Sequence, residues 1–272
     1  MNTALTISSL QNPKIKEMVK LKEKSRARNQ GGKFVIEGVR ELQLAIAAGY
    51  EILEWYYQPQ ICTAETLSVI ARQLDMQDNK CLPVQLPMAV YEKIAQRSTT
   101  EGVIAVAAVK EHSLSSLTFQ TENPLILVAE APEKPGNIGA LLRTADAAKL
   151  DAVIIANPKS DLYNPNIIRS SVGGVFTLPI AMGSSAAVLA FLQGLKANVY
   201  AAALQASKPY TEVDFTGPTA LVVGTEATGL EALWLEASNQ NIRIPMRGAI
   251  DSMNVSVAAG ILIFEAVRQR AL

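Results

Sequence analysis

The stretch IPMRGAIDSMNVSVAAG, residues 244–260, reads as an extended apolar entry, a glycine turn and a polar triplet that leads directly into the last helix. Ser252, Met253 and Asn254 stand where that helix begins. A helix N-terminus leaves backbone N–H groups unpaired and carries partial positive charge, so it takes either a capping side chain or a polar ligand. Asp251 or Ser252 is the expected cap. Upstream, the apolar runs 125–128, 152–156, 199–203 and 220–223 alternate with helical stretches. Continuous apolar strands between helices predict an α/β fold with a parallel sheet covered on both faces. Ligands of such sheets gather beyond the carboxyl ends of the strands, which points to the loops 132–137, 224–229 and 244–254.

The first part of the chain alternates in the same way on a smaller scale. Asn12-Pro13 reads as an N-cap and first helical residue, and Ile15, Met18 and Val19 mark one apolar stripe. After the glycine pair Gly31-Gly32, strands fit 33–37, 52–57, 82–86 and 103–109, with helices over 40–48, 64–74 and 88–96. Polar residues dominate 110–123. The expected organisation is a small α/β domain over 1–110, a linker at 111–123 and a parallel-sheet domain over 124–272.

The formal net charge of zero hides an asymmetry: residues 1–40 hold nine Lys or Arg against three Glu. A positive excess confined to one end points toward a polyanion partner, the plainer reading being a solvated helix face. Lys14, Lys16, Lys20, Lys22 and Arg40 are the candidate contacts. Apolar residues make up 49% of the chain, so it is globular, yet no run is long and uncharged enough to span a bilayer. With no apolar leader at its start, the chain is expected in the cytoplasm. Cys62 and Cys81 lie far apart and His112 is the sole histidine, which supports neither a disulfide framework nor a metal site.

Neither GxGxxG nor GxxxxGK[ST] occurs, which weighs against a dinucleotide fingerprint and a P-loop. Instead Lys134-Pro135-Gly136-Asn137 follows a strand and opens a helix that carries Arg143. Taken alone it is a turn, an N-cap at Asn137 and a surface arginine. The run 222–230, VVGTEATGL, again sets glycine at a strand end, where backbone can approach a ligand closely, with Glu226 as its one ionisable group. Asn137, Arg143, Glu226, Ser252 and Asn254 are all expected near the sheet-end loops.

Together these stretches resemble the SpoU (TrmH-type) RNA ribose 2′-O-methyltransferases of the SPOUT superfamily. PGNIGALLRTADA, VVGTEATGL and IPMRGAIDSMNVSVAAG are similar to that family's three motifs in order, and NPKIK, FVIEGVREL and EGVIAV resemble its N-terminal RNA-binding domain. The resemblance spans nearly the whole chain. One departure is Lys134, where the family often carries an acidic residue. The likeness implies a trefoil knot in the C-terminal domain, a topology otherwise exceptional, and a homodimer formed through that domain. It further implies S-adenosylmethionine as cofactor, held by Gly224, Gly229, Ile244 and Met253, with Leu204, Pro245 and Met246 lining the adenosyl pocket. Asn137, Arg143, Glu226, Ser252 and Asn254 would form the reacting centre for methylation of structured RNA, ribosomal before transfer RNA, with no metal. The alternatives are an RNA-binding or ribosome-assembly protein that keeps the fold without turnover, and methylation at a base atom.

Overall fold

A computed structural model describes residues 5–96, 101–225, 228–249 and 252–271. The chain divides into two compact units: residues 1–110 with 161–177, and residues 111–160 with 178–272.

The first unit is built on a five-stranded sheet of β1 (Leu5–Thr6), β2 (Lys33–Glu37), β3 (Ile52–Tyr57), β4 (Pro83–Gln85) and β5 (Val103–Ala108), in the order β1-β4-β3-β5-β2. The β1, β4 and β3 strands run parallel, while β5 is antiparallel to both β3 and β2. The helix α1 (Pro13–Glu23) begins as its sequence dictates: Asn12 accepts from the Lys14 amide at 2.9 Å, and Pro13 occupies the first helical position, where no N–H is required. Its buried stripe is Ile15, Met18 and Leu21, with Val19 packed beside it. The short α2 (Ser25–Gly31) leads into β2, and α3 (Val39–Ala47), α4 (Ala64–Asp75) and α5 (Met88–Ile94) complete the alternation.

The second unit carries a seven-stranded sheet in which every pairing is parallel. Its strands are β6 (Leu125–Glu130), β7 (Ala152–Ala156), β8 (Ile180–Gly183), β9 (Asn198–Ala202), β10 (Ser207–Pro209), β11 (Thr219–Val223) and β12 (Gln240–Arg243). They lie in the order β10-β12-β9-β11-β6-β7-β8. All residues of β6, β7 and β11 are buried, as strands covered on both faces require. Alternate residues Ile126, Val128, Ile154, Ala220 and Val222 join one cluster, with Trp234 and Val188 against them. The crossover helices are α6 (Pro135–Ala147), α9 (Ser185–Gly194) and α10 (Ala232–Ala237), and α11 (Val255–Arg270) ends the chain against α6 and β11. Residues 111–123 belong to this unit, where Leu114, Leu117 and Phe119 pack against the cluster.

The helices α7 (Pro165–Ser170) and α8 (Gly174–Thr177) lie in the first unit although their neighbours in sequence lie in the second. Tyr163 stacks on Phe34 with centroids 4.1 Å apart and its hydroxyl meets that of Tyr50 at 3.1 Å. Phe176 meets Tyr50 edge-on at 5.2 Å, and Asp161 pairs with the buried Arg28. Burial raises the pKa of both tyrosines, so the hydroxyl contact stays neutral.

Candidate active site

The carboxyl ends of β9, β11 and β12 and the first turn of α11 enclose two adjoining hollows in the second unit. One, of about 450 Å³, is lined by Leu204, Gly224, Gly229, Leu230, Ser252 and Met253 among others. The other, of about 180 Å³, shares Leu204, Ser252 and Met253 and adds Ile244 and Met246. Together, volumes of this size suit a ligand of a few hundred Å³. Pro245 is not among the lining residues. A wider hollow of about 780 Å³ lies in the first unit, over Gly49 and the turn 77–81, and shares no residue with the motif loops.

Gly224 leaves β11 in a closed turn. Thr225 and Gly229 exchange backbone hydrogen bonds of 3.0 and 3.2 Å, and the Thr228 amide donates to Thr225 Oγ1 at 3.0 Å. A Cβ on Gly224 would stand 2.3 Å from the Gly229 carbonyl, so the glycine is demanded by the loop's own closure. Close approach of a ligand is the reason the sequence offers for this glycine, and loop closure is a second one. Gly229, at φ +69°, has open space where its side chain would be.

The cap of α11 is Asn254, not Asp251 or Ser252. Its Oδ1 accepts from the Ser256 amide at 2.9 Å and from the Ser256 hydroxyl at 2.6 Å. Its Nδ2 donates to Asn137 Oδ1 at 3.1 Å. Asn137 is accordingly not the cap of α6: Lys134 is the N-cap and Pro135 opens the helix, which places Asn137 within the first turn with its side chain turned toward α11. Ser252 is exposed and lines both hollows. Glu226 and Asp251 lie outside the described residues.

Arg143 does not join this group on the same face. It stands six residues beyond Asn137, roughly 9 Å along the helix and about 120° around it. Its side chain is exposed and bonds to no described residue. Ala258, one turn beyond Asn254, also lines both hollows. Its signal in the sequence was the four-residue helical spacing alone.

An adenosyl group carrying a sulfonium suits these walls. Leucine, methionine and isoleucine side chains supply apolar faces, and the strand-end loops supply backbone donors and acceptors. The guanidinium in the lining, that of Arg243, is committed to the Ser207 carbonyl and hydroxyl, so no free cation of the described lining opposes a positive ligand.

A model of the SpoU rRNA Methylase family matches residues 124–264. The chain belongs to this family. A model of the MRM3-like substrate binding domain matches residues 12–105. Among proteins similar in sequence is the 23S rRNA (guanosine(2553)-2′-O)-methyltransferase RlmP of Bacillus subtilis, 28% identical over 95% of this chain and 97% of its own. A crystal structure of an RNA 2′-O ribose methyltransferase is 38% identical, covers 98% of this chain and 100% of its own, and superposes with a TM-score of 0.83. The AdoMet-bound rRNA methyltransferase of Sinorhizobium meliloti is 25% identical, covers 97% and 98%, and superposes at 0.88.

The basic residues of the first unit, most of which matches the substrate-binding model, divide into two sorts. The side chains of Lys16, Lys20 and Arg40 are exposed and bond to no described residue. Lys14 pairs with Glu54 at 2.7 Å, and Lys22 turns inward to the Ile94 carbonyl, where burial lowers its pKa. No group of three or more metal-ligating side chains gathers among the described residues. Burial raises the pKa of the Cys62 and Cys81 thiols and so disfavours the reactive thiolate. No helix of the described residues is long and apolar enough to cross a membrane.

Proposed function

We propose that this protein transfers a methyl group from S-adenosylmethionine to a ribose 2′-hydroxyl of ribosomal RNA. The observation that carries this reading is the Asn254–Asn137 hydrogen bond, which joins the first and third motifs beside the hollow bounded by the second. The family membership and the rRNA 2′-O-methyltransferases similar to the chain support it.

Gly224, Gly229, Ile244 and Met253 hold the cofactor, chiefly through backbone, and Leu204 and Met246 cover its adenosyl part, with Pro245 shaping the loop. The cofactor supplies an already activated methyl group, so the protein's task is to orient the acceptor oxygen and assist loss of its proton. Ser252 and the Asn254–Asn137 pair present polar groups for that orientation, and Glu226, two residues after Gly224 in sequence, joins them in that task. A guanidinium ordinarily keeps its proton, so Arg143 acts as a fixed charge that grips a phosphate and stabilises the developing alkoxide. Lys16, Lys20 and Arg40 of the first unit contact RNA phosphates, Lys14 and Lys22 less so because their ammonium groups are engaged.

The active form is a homodimer built through the second unit. Val257 and Phe264, 54% and 50% exposed, stand two turns apart on one face of α11, which packs on the helix bearing Arg143. A second copy covering that face would bring its own site to Arg143.

Mapping 2′-O-methyl groups in ribosomal and transfer RNA from cells with and without the protein tests the assignment. One ribosomal ribose should lose its methyl group and regain it on restoration of the gene. An unchanged map would refute the activity, and loss from transfer RNA alone would overturn the substrate.

A further inference from the structure

The carboxyl end of the sheet holds a charged side chain that the chemistry above does not use. Glu130 closes β6 and is 1% exposed. Its Oε1 accepts from the Trp234 indole N–H at 2.8 Å and from the Ser185 hydroxyl at 2.9 Å. Its Oε2 accepts from the Glu231 backbone N–H at 3.0 Å. Ser185 is held in turn by Asn157, which donates to its hydroxyl at 2.8 Å and accepts from its amide at 3.1 Å. These bonds tie the ends of β6 and β7 to the first turns of α9 and α10.

A carboxyl group so deeply buried is tolerated only where donors meet it, and here each oxygen has one or more. An apolar side chain of similar shape would fill the same space at less desolvation cost. What distinguishes Glu130 is where its donors sit. Glu231 directly follows Leu230, and α10 contains both Trp234 and Leu235; Gly229, Leu230 and Leu235 line the 450 Å³ hollow. The loop from Gly224 is fastened at one end by β11 and across its neck by the Thr225–Gly229 bonds. Its far end is fastened by the Glu130 carboxylate.

We propose that Glu130 is a positioning residue for cofactor binding: by anchoring α10 and the Glu231 amide it sets the wall of the hollow that receives S-adenosylmethionine. This rests on the methyltransferase reading above. Glu130 does not touch the ligand itself. Glu130→Gln conserves shape but turns one acceptor into a donor. Whichever way the amide lies, it faces the N–H of Trp234 or of Glu231, and either contact belongs to the α10 anchor. Ser185→Ala removes the donor from α9 and the 3.3 Å acceptor that Ser185 Oγ offers the Trp234 indole, and leaves both contacts between Glu130 and α10 in place.

Calorimetry with S-adenosylmethionine on the full-length proteins separates the possibilities. Glu130→Gln should raise the Kd about tenfold, the loss expected for one hydrogen bond to a charged group, and shift the Trp234 emission. Its methylation rate at saturating cofactor should stay near that of the parent, and Ser185→Ala should bind within about twofold of it. Parental affinity in Glu130→Gln, or equal weakening in Ser185→Ala, would overturn the proposal. A parent protein that binds no cofactor would instead overturn the methyltransferase reading. Should Glu130→Gln fail to fold, amide exchange in the parent decides: Glu231 N–H protected like the sheet amides supports the anchor, and exchange as fast as an exposed loop removes it.

Discussion

Asn254 performs two tasks that different substitutions take apart. Its Oδ1 caps α11 through Ser256, and its Nδ2 holds Asn137. Asn254→Asp keeps an acceptor for the cap and places negative charge at a helix N-terminus, where it is favoured. What it loses is the donor to Asn137. Asn254→Ala loses both, about 1 kcal/mol for the cap and a similar amount for the bond. At roughly 2–4 °C per kcal/mol for a chain of this size, Asn254→Ala should melt several degrees lower and Asn254→Asp within a degree or so of the parent. If the pair orients the acceptor, both should lose about tenfold or more in single-turnover methylation with saturating RNA and cofactor, since each 1.36 kcal/mol of barrier is one decade. Thermal melts and rapid-quench rates on the same preparations check both halves. Parental rates in a correctly folded Asn254→Asp would refute the catalytic role and leave Asn254 a cap. An unshifted melt in Asn254→Ala would refute the cap.

Gly224→Ala forces a Cβ to within 2.3 Å of the Gly229 carbonyl, so cofactor binding and stability should fall together, by about 1–3 kcal/mol for the strain; calorimetry and a melt that both match the parent would exclude the closed loop. Replacing Lys16 and Lys20 with glutamine should lower the slope of log affinity against log salt by about 1.4 for single-stranded RNA, whereas Lys22→Gln should change it little; titrations at four salt concentrations measure both, and equal effects would contradict the inward turn of Lys22. Arg143→Ala should lose about 3 kcal/mol of transition-state stabilisation with cofactor affinity intact, and Arg143→Lys less. If Arg143 serves the partner's site, exchanging subunits between Arg143→Ala and Asn254→Asp should restore about a quarter of the sites, and a mixture as inactive as its components would place both residues in one subunit's site.

Much of this architecture is legible in the sequence because local chemistry and tertiary need agree. Asn12-Pro13 starts α1, and β2 and β3 run over 33–37 and 52–57, the bounds expected from the sequence. The buried strands β6, β7 and β11 announce themselves as unbroken apolar runs. The short β10 and β12 do not. Ser207–Pro209 and Gln240–Arg243 are polar segments that become strands only by pairing with each other and with β9, a choice made by the sheet. The move of 161–177 into the first unit is likewise tertiary, set by Tyr163 on Phe34 and Asp161 on Arg28, partners more than 120 residues distant in sequence. Within the site, three loops were identifiable from glycine and polar triplets. The choice of Asn254 as cap was not, because Asp251, Ser252 and Asn254 are nearly equivalent caps by propensity. Glu130 gave no signal, since a carboxylate at the end of an apolar strand usually marks a solvent-facing turn.

Arg143 shows how fold and chemistry constrain each other. A catalytic arginine beside Asn137 would need to lie three, four or seven residues from it along α6, the spacings that share a helix face. Six residues place it on another face, exposed and bonded to no described side chain. A guanidinium loses more by desolvation than most groups unless a carboxylate, phosphate or aromatic face meets it, so a free one at the surface is either idle or awaiting a partner. The neighbouring helix argues for a partner: Val257 and Phe264 leave apolar area uncovered on α11, close to where Thr144 of α6 would meet a side chain at Gly260. Under the homodimer proposed above, one additional copy of the chain would satisfy both needs, since a two-fold contact would bury the apolar stripe twice and offer each Arg143 to the opposite hollow. The homodimer proposed above predicts that a single subunit holds cofactor, because the hollows are lined by its own loops, yet methylates poorly without the other subunit's Arg143.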